Sequence, residues 1–404
     1  MGWNKNSFLM GLAAGIVFVC LALVGYNEYG KRVVWQGTTP PNTKVLEIFD
    51  LLDRYSIIAF EREEMFDGMY RGLLDGVDDP YTQYFDQDAL EAFRVRTEGV
   101  FAGIGVTSLM DESGEYLTVY EVFDNSPAHN AGLLAGDKFL AVDGESVVGQ
   151  PQGEITDKIR GPEGTTVRLT MLRPDEYDED YNGDSADGLI FDVHIVRAMV
   201  EVPTVFYQMP EDGIGLIRID GFARMTLPQF NEALDDLIGQ GIRALIIDVR
   251  NNPGGSMPAV VQITNRLVPE GIITYTEHAD GRREYHRATE EYLGLPLVVL
   301  VNGRSASASE ILAAAVQDTG AGTIIGTQTY GKGSVQNLMY LSDGHAVKMT
   351  IAKYFTPNGI SIHGIGVTPD VVVEMDEALS RRTGMLTLDE DVQLQAAIYS
   401  LTRR

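Results

Sequence analysis

The chain has 404 residues, enough for roughly two to four compact units with a sizeable core. Its 44% hydrophobic and 22% charged residues are those of an ordinary globular protein, while 58 Asp+Glu against 31 Lys+Arg leave a net charge of −27. That balance argues against a nucleic-acid partner, which needs basic groups to displace counterions, and against a soluble face docked on anionic lipid. The single cysteine, Cys20, permits neither an intrachain disulfide nor a cysteine metal cluster.

No charge occurs between Lys5 and Glu28, and 8–24 is almost wholly apolar, just long enough to cross a bilayer as a helix. A cleaved signal peptide is the alternative. Bulky Val19 before Cys20 and the lack of a small-x-small pair favour a retained anchor within 1–30. Lys31 and Arg32 follow the span and only Lys5 precedes it, so the flanking charges do not settle its orientation. The expected location is the extracytoplasmic side of the cell envelope, with membrane contact through this segment.

A polar linker at 31–43, containing Pro40-Pro41, leads to an N-terminal helical segment at 44–96. There Val45, Leu46, Ile48, Phe49, Leu51 and Leu52, then Met65, Phe66, Met69, Tyr70, Leu73 and Leu74, recur at helical spacing. Asp78-Asp79-Pro80-Tyr81 breaks the pattern, and 88–94 reads as a further short helix. The apolar stripes of this segment are expected to pack on another domain or a second subunit.

From 97 to 198 the texture turns β-rich with glycine punctuation. Gly103-Ile104-Gly105-Val106 starts a strand, 116–122 alternates as a strand should, and Ser126-Pro127-Ala128 opens a short helix. A strand follows Gly136-Asp137, a helix is expected over Gln152–Ile159, and Arg160-Gly161-Pro162-Glu163-Gly164 precedes the strand 166–172. This order resembles a PDZ domain of the bacterial protease type. The resemblance makes Gly103, Ile104, Gly105 and Val106 the loop whose N–H groups receive a peptide carboxylate beside a strand edge. The acidic stretch 174–188 imitates the start of a calcium loop at Asp178, Asp180 and Asn182, but Leu189 stands where the closing Glu belongs. A solvated hairpin insertion is the expectation, with no metal.

From Gly213 strands and helices alternate: strand Ile214–Ile219, helix 226–238, buried strand 244–249 ending in Arg250-Asn251-Asn252-Pro253-Gly254-Gly255, helix Met257–Leu267, buried strand Leu297–Val301 and strand Thr323–Gly326. The pattern points to an α/β core with a substantially parallel sheet, spanning 199–376. A C-terminal helical segment occupies 377–404. Its stretch 389–401 reads as a helix and, with the first helices, is a candidate for pairing two copies as a homodimer.

The chemistry concentrates in Ser305-Ala306-Ser307-Ala308-Ser309-Glu310, which runs into the apolar stretch 311–316, and in Tyr330-Gly331-Lys332-Gly333. Serine needs a neighbouring base, and a lysine kept neutral by burial can be one. Taken alone, the serines could be helix caps and the lysine a solvated turn residue. On residues alone Ser305, Ser307 and Ser309 are equivalent candidates. The six histidines, His129, His194, His278, His286, His345 and His363, lack any context that marks a catalytic base.

Together, Gly103-Ile104-Gly105-Val106, RGPEGT at 160–165, DVRNNPGG at 248–255, SASASEI at 305–311, YGKGSVQ at 330–336 and TPNG at 356–359 resemble the C-terminal processing peptidases, or tail-specific proteases. The resemblance covers 45–375. It implies a serine endopeptidase with Ser307 as nucleophile, Lys332 as general base and Gln336 orienting that base. It implies oxyanion donors at Ala308 and at Gly254, with Gly255 the alternative by one register step. Glu310 is expected to be structural, and Val335, Leu338, Ile324 and Ile325 to surround the lysine with apolar groups. Arg160 is expected to help couple occupancy of the PDZ groove to the active alignment. No cofactor or metal is required, and the partners are proteins or peptides with nonpolar C-termini. The rival readings are a membrane-tethered PDZ adaptor with an inert core, and an acyl-transfer enzyme acting on thioesters. Neither a lost Ser or Lys nor a phosphate-binding loop supports them.

Overall fold

The computed structural model describes residues 41–111, 113–174, 188–289 and 291–403. The N-terminal apolar segment, the calcium-like stretch and most of the acidic insertion lie outside the described residues. Among the described residues no helix is long and apolar enough to cross a membrane.

The chain divides into two compact units, 1–69 and 70–404. In the first, helix Pro41–Tyr55 is followed by the start of helix Arg62–Asp75. Phe49 is buried and its ring centroid lies 4.9 Å from that of Phe66, while Arg62 pairs with Asp53 and lays its guanidinium over Phe49. Leu46, Ile48, Leu51, Ile57 and Ile58 are exposed.

In the second unit, strands Val106–Met110, Leu117–Val122, Lys138–Val142, Thr166–Pro174 and Gly188–Val196 pair antiparallel in that order. Helix Gln152–Ile159 closes this β-rich domain by burying Ile155 and Ile159 against Val167, Leu169 and Met171, which alternate on one face of their strand. A separate two-stranded ribbon, Val100–Gly103 with Ala198–Glu201, stands at the domain's two chain ends.

The following sheet contains Val205–Glu211, Ile214–Ile219, Ala244–Asp248, Leu297–Val301, Thr323–Gly326 and Val371–Val372, in that spatial order. The first pair is antiparallel and the remaining four pairs are parallel. Strand alternation assigns each residue to a face. Ile217, Leu245, Ile247, Val299 and Ile324 pack on helices Thr226–Gly239, Met257–Leu267 and Ala308–Thr319. Leu216, Ile246, Val298, Leu300 and Ile325 receive the C-terminal helix Val392–Thr402 through Leu394, Ala397 and Leu401. Those three residues are spent on their own sheet, while Val392 and Tyr399 of the same helix are exposed.

A second sheet, not anticipated from the sequence, joins Gln83–Phe85, Ala346–Phe355, Gly271–His278 and Arg283–Ala288, with Ser334–Tyr340 also paired to Ala346–Phe355. Arg283–Ala288 is largely exposed and charged, so it carries no apolar alternation to betray it. This sheet matters because it holds the Lys332 loop and Tyr354.

Candidate active site

The buried strand Leu297–Val301 delivers the chain to the three serines, and burial separates them. Ser305 donates its hydroxyl to the Val249 carbonyl at 2.7 Å and accepts the Asn302 N–H at 2.9 Å. Ser309 donates to the Asn252 carbonyl at 2.9 Å. Both are fully buried, whereas Ser307 between them is partly exposed. Ser307 also has φ 56° and ψ −113°, a backbone state that costs a non-glycine residue on the order of 1–3 kcal/mol. Helix Ala308–Thr319 starts immediately after it, and the Ala308 N–H has no acceptor among the described residues.

Asn252 ties this segment to the loop after strand Ala244–Asp248. Its carbonyl accepts the Ala306 N–H at 3.0 Å, and its side chain donates to the Ile219 carbonyl at 2.7 Å. The same side chain accepts the Gly254 N–H at 2.8 Å. Gly254, with φ 100°, approaches Ser307 so closely that a Cβ would stand 2.7 Å from the Ser307 Cβ and 2.9 Å from the Ala308 nitrogen. The glycine is thus required for the approach, but its N–H is turned to Asn252 rather than free for an oxyanion. The neighbouring Gly255 N–H has no acceptor among the described residues.

Glu310 lies wholly buried one helical turn beyond Ser307. Its Oε2 accepts the N–H of Ser307 at 2.8 Å and the N–H of Lys332 at 2.9 Å, while Oε1 accepts the Thr329 hydroxyl at 2.6 Å and the Gly331 N–H at 2.7 Å. The two backbone nitrogens that share Oε2 are therefore within about 6 Å of each other. On the carbonyl side, the buried Tyr354 hydroxyl contacts both the Ser307 carbonyl, at 3.0 Å, and the Lys332 carbonyl. Burial, with the Glu310 charge adding to it, pushes the Tyr354 hydroxyl well above the ordinary tyrosine range, so it stays a donor. Glu310 is structural as expected, and what it structures is the joint between the serine and lysine segments.

The Lys332 side chain is half-buried, and its amine lies 4.6 Å from the centroid of the Tyr81 ring. Burial pulls this amine below the ordinary lysine range, while the Asp79 and Glu310 carboxylates pull it the other way. Ile324 and Val335 belong to the main core and Leu338 packs near Phe85 and Leu90, while the face of the Tyr81 ring meets the amine and the Asp79 and Glu310 carboxylates act on it electrostatically. Gln336 donates to the hydroxyls of Ser334 at 2.9 Å and Thr350 at 3.2 Å. Among the described residues it makes no hydrogen bond to Lys332, so direct orientation of the base is not what this geometry contains. His363 comes near through its backbone, where a Cβ on Gly333 would lie 2.7 Å from the His363 nitrogen.

In the β-rich domain, Gly105 has φ 85° and presses on Ser126, where a Cβ would meet the Ser126 Cβ at 2.3 Å. The Ile104 carbonyl accepts the Ala128 N–H, and the Gly105 carbonyl accepts from Phe123 and from the Ser126 hydroxyl. Gly103 ends one strand and Val106 begins the next, so the loop is held rigidly beside the strand Val106–Met110. Arg160 ends helix Gln152–Ile159 with its guanidinium 5.6 Å from the Phe101 ring centroid. Its side chain makes no ion pair among the described residues.

Sequence reasoning missed Asp79, Tyr81, Asn252 and Tyr354. The first two sit in Asp78-Asp79-Pro80-Tyr81, read only as a helix break, and Tyr354 lies in an unremarkable strand. The signal available was the density of polar residues with turn chemistry just before Thr82.

Residues 213–373 match peptidase family S41, and residues 118–173 match the PDZ domain. The carboxy-terminal-processing protease of Bartonella bacilliformis is 33% identical over 373 residues, covering 90% of this chain and 80% of that protein. The carboxyl-terminal-processing protease of a Synechocystis species is 34% identical over 347 residues, covering 84% of this chain and 78% of that protein. A candidate S41 protease from Bacteroides fragilis, solved as a crystal structure, aligns with a TM-score of 0.53 over 91% of this chain and 99% of that chain. At 14% identity it speaks to the fold alone.

Proposed function

Because this chain belongs to the carboxy-terminal processing proteases of peptidase family S41 and carries a PDZ domain, we propose that it is a serine endopeptidase acting through Ser307 and Lys332 on proteins with nonpolar C-terminal tails. The observation that carries the reading is the selective exposure of Ser307. Of three serines in one run, two spend their hydroxyls inside the fold, and the third sits on a strained turn joined through Glu310 to the lysine segment.

In this reading the Ser307 Oγ attacks the scissile carbonyl carbon while Lys332 Nζ, in its neutral form, takes the hydroxyl proton. The carbonyl oxygen becomes an oxyanion in reach of the Ala308 N–H, which lies next to the nucleophile at the helix start. In this reading Gly255, whose N–H has no acceptor among the described residues, supplies the second donor, and Gly254 does so only if its bond to Asn252 is broken. Collapse of the intermediate expels the amine, which takes its proton from Lys332, and leaves an acyl ester on Ser307. Water, deprotonated by Lys332, then releases the acid.

Tail recognition falls to the Gly103, Ile104, Gly105 and Val106 loop, with the tail added beside strand Val106–Met110. The tilt of the Gly254 N–H towards Asn252 fits a resting alignment that tail binding would shift, with Arg160 taking part from the end of its helix. The N-terminal segment anchors the protease to the extracytoplasmic face of the envelope in this reading.

The test is peptide cleavage together with labelling by a fluorophosphonate. Ser307→Ala is expected to abolish both, and Lys332→Ala to lower kcat by at least about 10³-fold, with both variants folded. Full cleavage by either would overturn the assignment. For Arg160, the variant Arg160→Ala should lose the rate advantage of tailed over untailed substrates, and unchanged discrimination would remove it from the coupling.

A further inference from the structure

Lys332 is served by a segment outside the S41 match. The turn after helix Arg62–Asp75 carries Asp79 and Tyr81, and strand Gln83–Phe85 then pins the turn to the second sheet through pairing with Ala346–Phe355. Asp79 is itself held: its Oδ1 accepts the Tyr81 N–H at 3.1 Å and its Oδ2 accepts the Thr82 hydroxyl at 2.6 Å. The Thr350 N–H in turn donates to the Thr82 hydroxyl at 3.4 Å. Thr350 is the residue that Gln336 reaches, so a polar path runs from Gln336 through Thr350 and Thr82 to Asp79.

We propose that Asp79 and Tyr81 are positioning residues for Lys332: the Tyr81 ring seats the ammonium, Asp79 supplies its counter-charge, and Gln336 acts on the base through Thr350, Thr82 and Asp79. The proposal rests on Lys332 being the general base. A ring face attracts a cation through its quadrupole, and that attraction strengthens where water is excluded. The groups bearing on the amine are the Tyr81 ring and Asp79 from the turn and Glu310 from the nucleophile's helix. Behind them, Tyr330 bears on the Tyr81 hydroxyl, and His363, from the loop packed on Gly333, bears electrostatically on Asp79. Although burial pushes the Asp79 carboxyl up, the polar groups of Thr350, Thr82 and Tyr81 outweigh it and keep the group ionised.

The sign of the effect follows from charge. Removing the Asp79 charge while keeping its shape weakens the hold on the ammonium, so the lysine loses its proton at lower pH. In Asp79→Asn the ascending limb of kcat/KM against pH is expected about 0.5–1 pH unit lower than in the parent. Tyr81→Leu should lower kcat at least tenfold with little change in KM, and Tyr81→Phe, which keeps the ring, should recover most of that loss. Gln336→Glu, returning a charge at the far end of the path, should move the limb of Asp79→Asn back upward.

An unmoved limb in folded Asp79→Asn, or parental kcat in folded Tyr81→Leu, overturns the proposal. If Tyr81→Leu does not fold, the limb position in Asp79→Asn decides alone. Should Asp79→Asn also unfold, titration of isotope-labelled lysine in Tyr81→Trp and in the parent decides. The stronger ring face should make the lysine keep its proton to higher pH in Tyr81→Trp, and equal titration in the two counts against the seat. Failure of the Ser-Lys reading is distinguishable, because it would show as cleavage surviving Lys332→Ala whatever the Asp79 and Tyr81 variants do.

Discussion

Ser307 and Lys332 donate their backbone N–H groups to one oxygen of Glu310, and their carbonyls meet at one hydroxyl, that of Tyr354. Two segments far apart in sequence are thus fixed by side chains that touch neither reactive atom. Glu310→Gln keeps the size but replaces one accepting oxygen with a donor, leaving buried N–H groups unpaired. The expected cost is about 2–4 kcal/mol of stability, read by chemical denaturation. The kcat should fall by about 10²-fold with KM less affected, because a misplaced dyad harms the reaction more than binding. Parental kcat in a folded Glu310→Gln protein would show that the shared carboxylate does not set the alignment.

The backbone of Ser307 makes a second expectation specific. With φ 56° and ψ −113° the residue occupies a region that glycine enters freely and alanine does not. Both Ser307→Gly and Ser307→Ala should be inactive, but Ser307→Gly should be the more stable of the two by about 1 kcal/mol, even though glycine ordinarily costs entropy. Equal midpoints in urea would mean that the turn relaxes once the hydroxyl is gone.

Protonation of Lys332 links activity and stability to pH in the same direction. Burial lowers the affinity of its amine for a proton in the folded state, with Asp79 and Glu310 opposing. The unfolded chain then binds more protons at this residue than the native one does, so stability rises with pH between the folded value and the ordinary lysine value of about 10.4. Activity should rise over the lower part of the same window as the neutral base accumulates. Lys332→Met, inactive but freed of the penalty, should unfold later than the parent at neutral pH, with the difference closing towards pH 10 or so. A variant less stable than the parent throughout would show that the carboxylates, not burial, dominate.

What could be read in advance divides along physical lines. Met257–Leu267 and Leu297–Val301 are legible to the residue because their apolar spacing is set by one buried face or two. The helix of Ser307 was legible too, but the serine itself only as one of three. Its distinction comes from Val249 and Asn252, which occupy the hydroxyls of Ser305 and Ser309 across the fold. The partner of Lys332 was hidden for the same reason. Val335 and Leu338 are near in sequence, yet the ring that meets the amine is that of Tyr81, brought there by tertiary structure. Arg283–Ala288 escaped notice because its strand pairs without burying an alternating face.

The loop that approaches Ser307 also depends on the C-terminal segment. Arg250 is almost wholly buried and lies between Asp248, bonded at 2.9 and 2.7 Å, and Asp391, bonded at 2.8 and 2.7 Å. Burial works against its charge, but the two carboxylates outweigh that and hold the guanidinium more firmly protonated than usual. Asp391 also caps helix Val392–Thr402 by accepting the Leu394 N–H at 3.0 Å, and Asn251 reaches back to the Ser380 carbonyl at 2.8 Å. The loop that carries Gly254 is therefore anchored at its start by the last helix of the chain. Asp391→Asn leaves Asp248 as the one buried carboxylate on Arg250, so a loss of about 3–5 kcal/mol is expected. Deleting 377–404 should remove activity even where the PDZ domain still binds a tail peptide, because the anchor of Arg250 and Asn251 goes with it. An active truncated protein would place the alignment of Gly254 wholly in its contacts with Asn252 and Phe222.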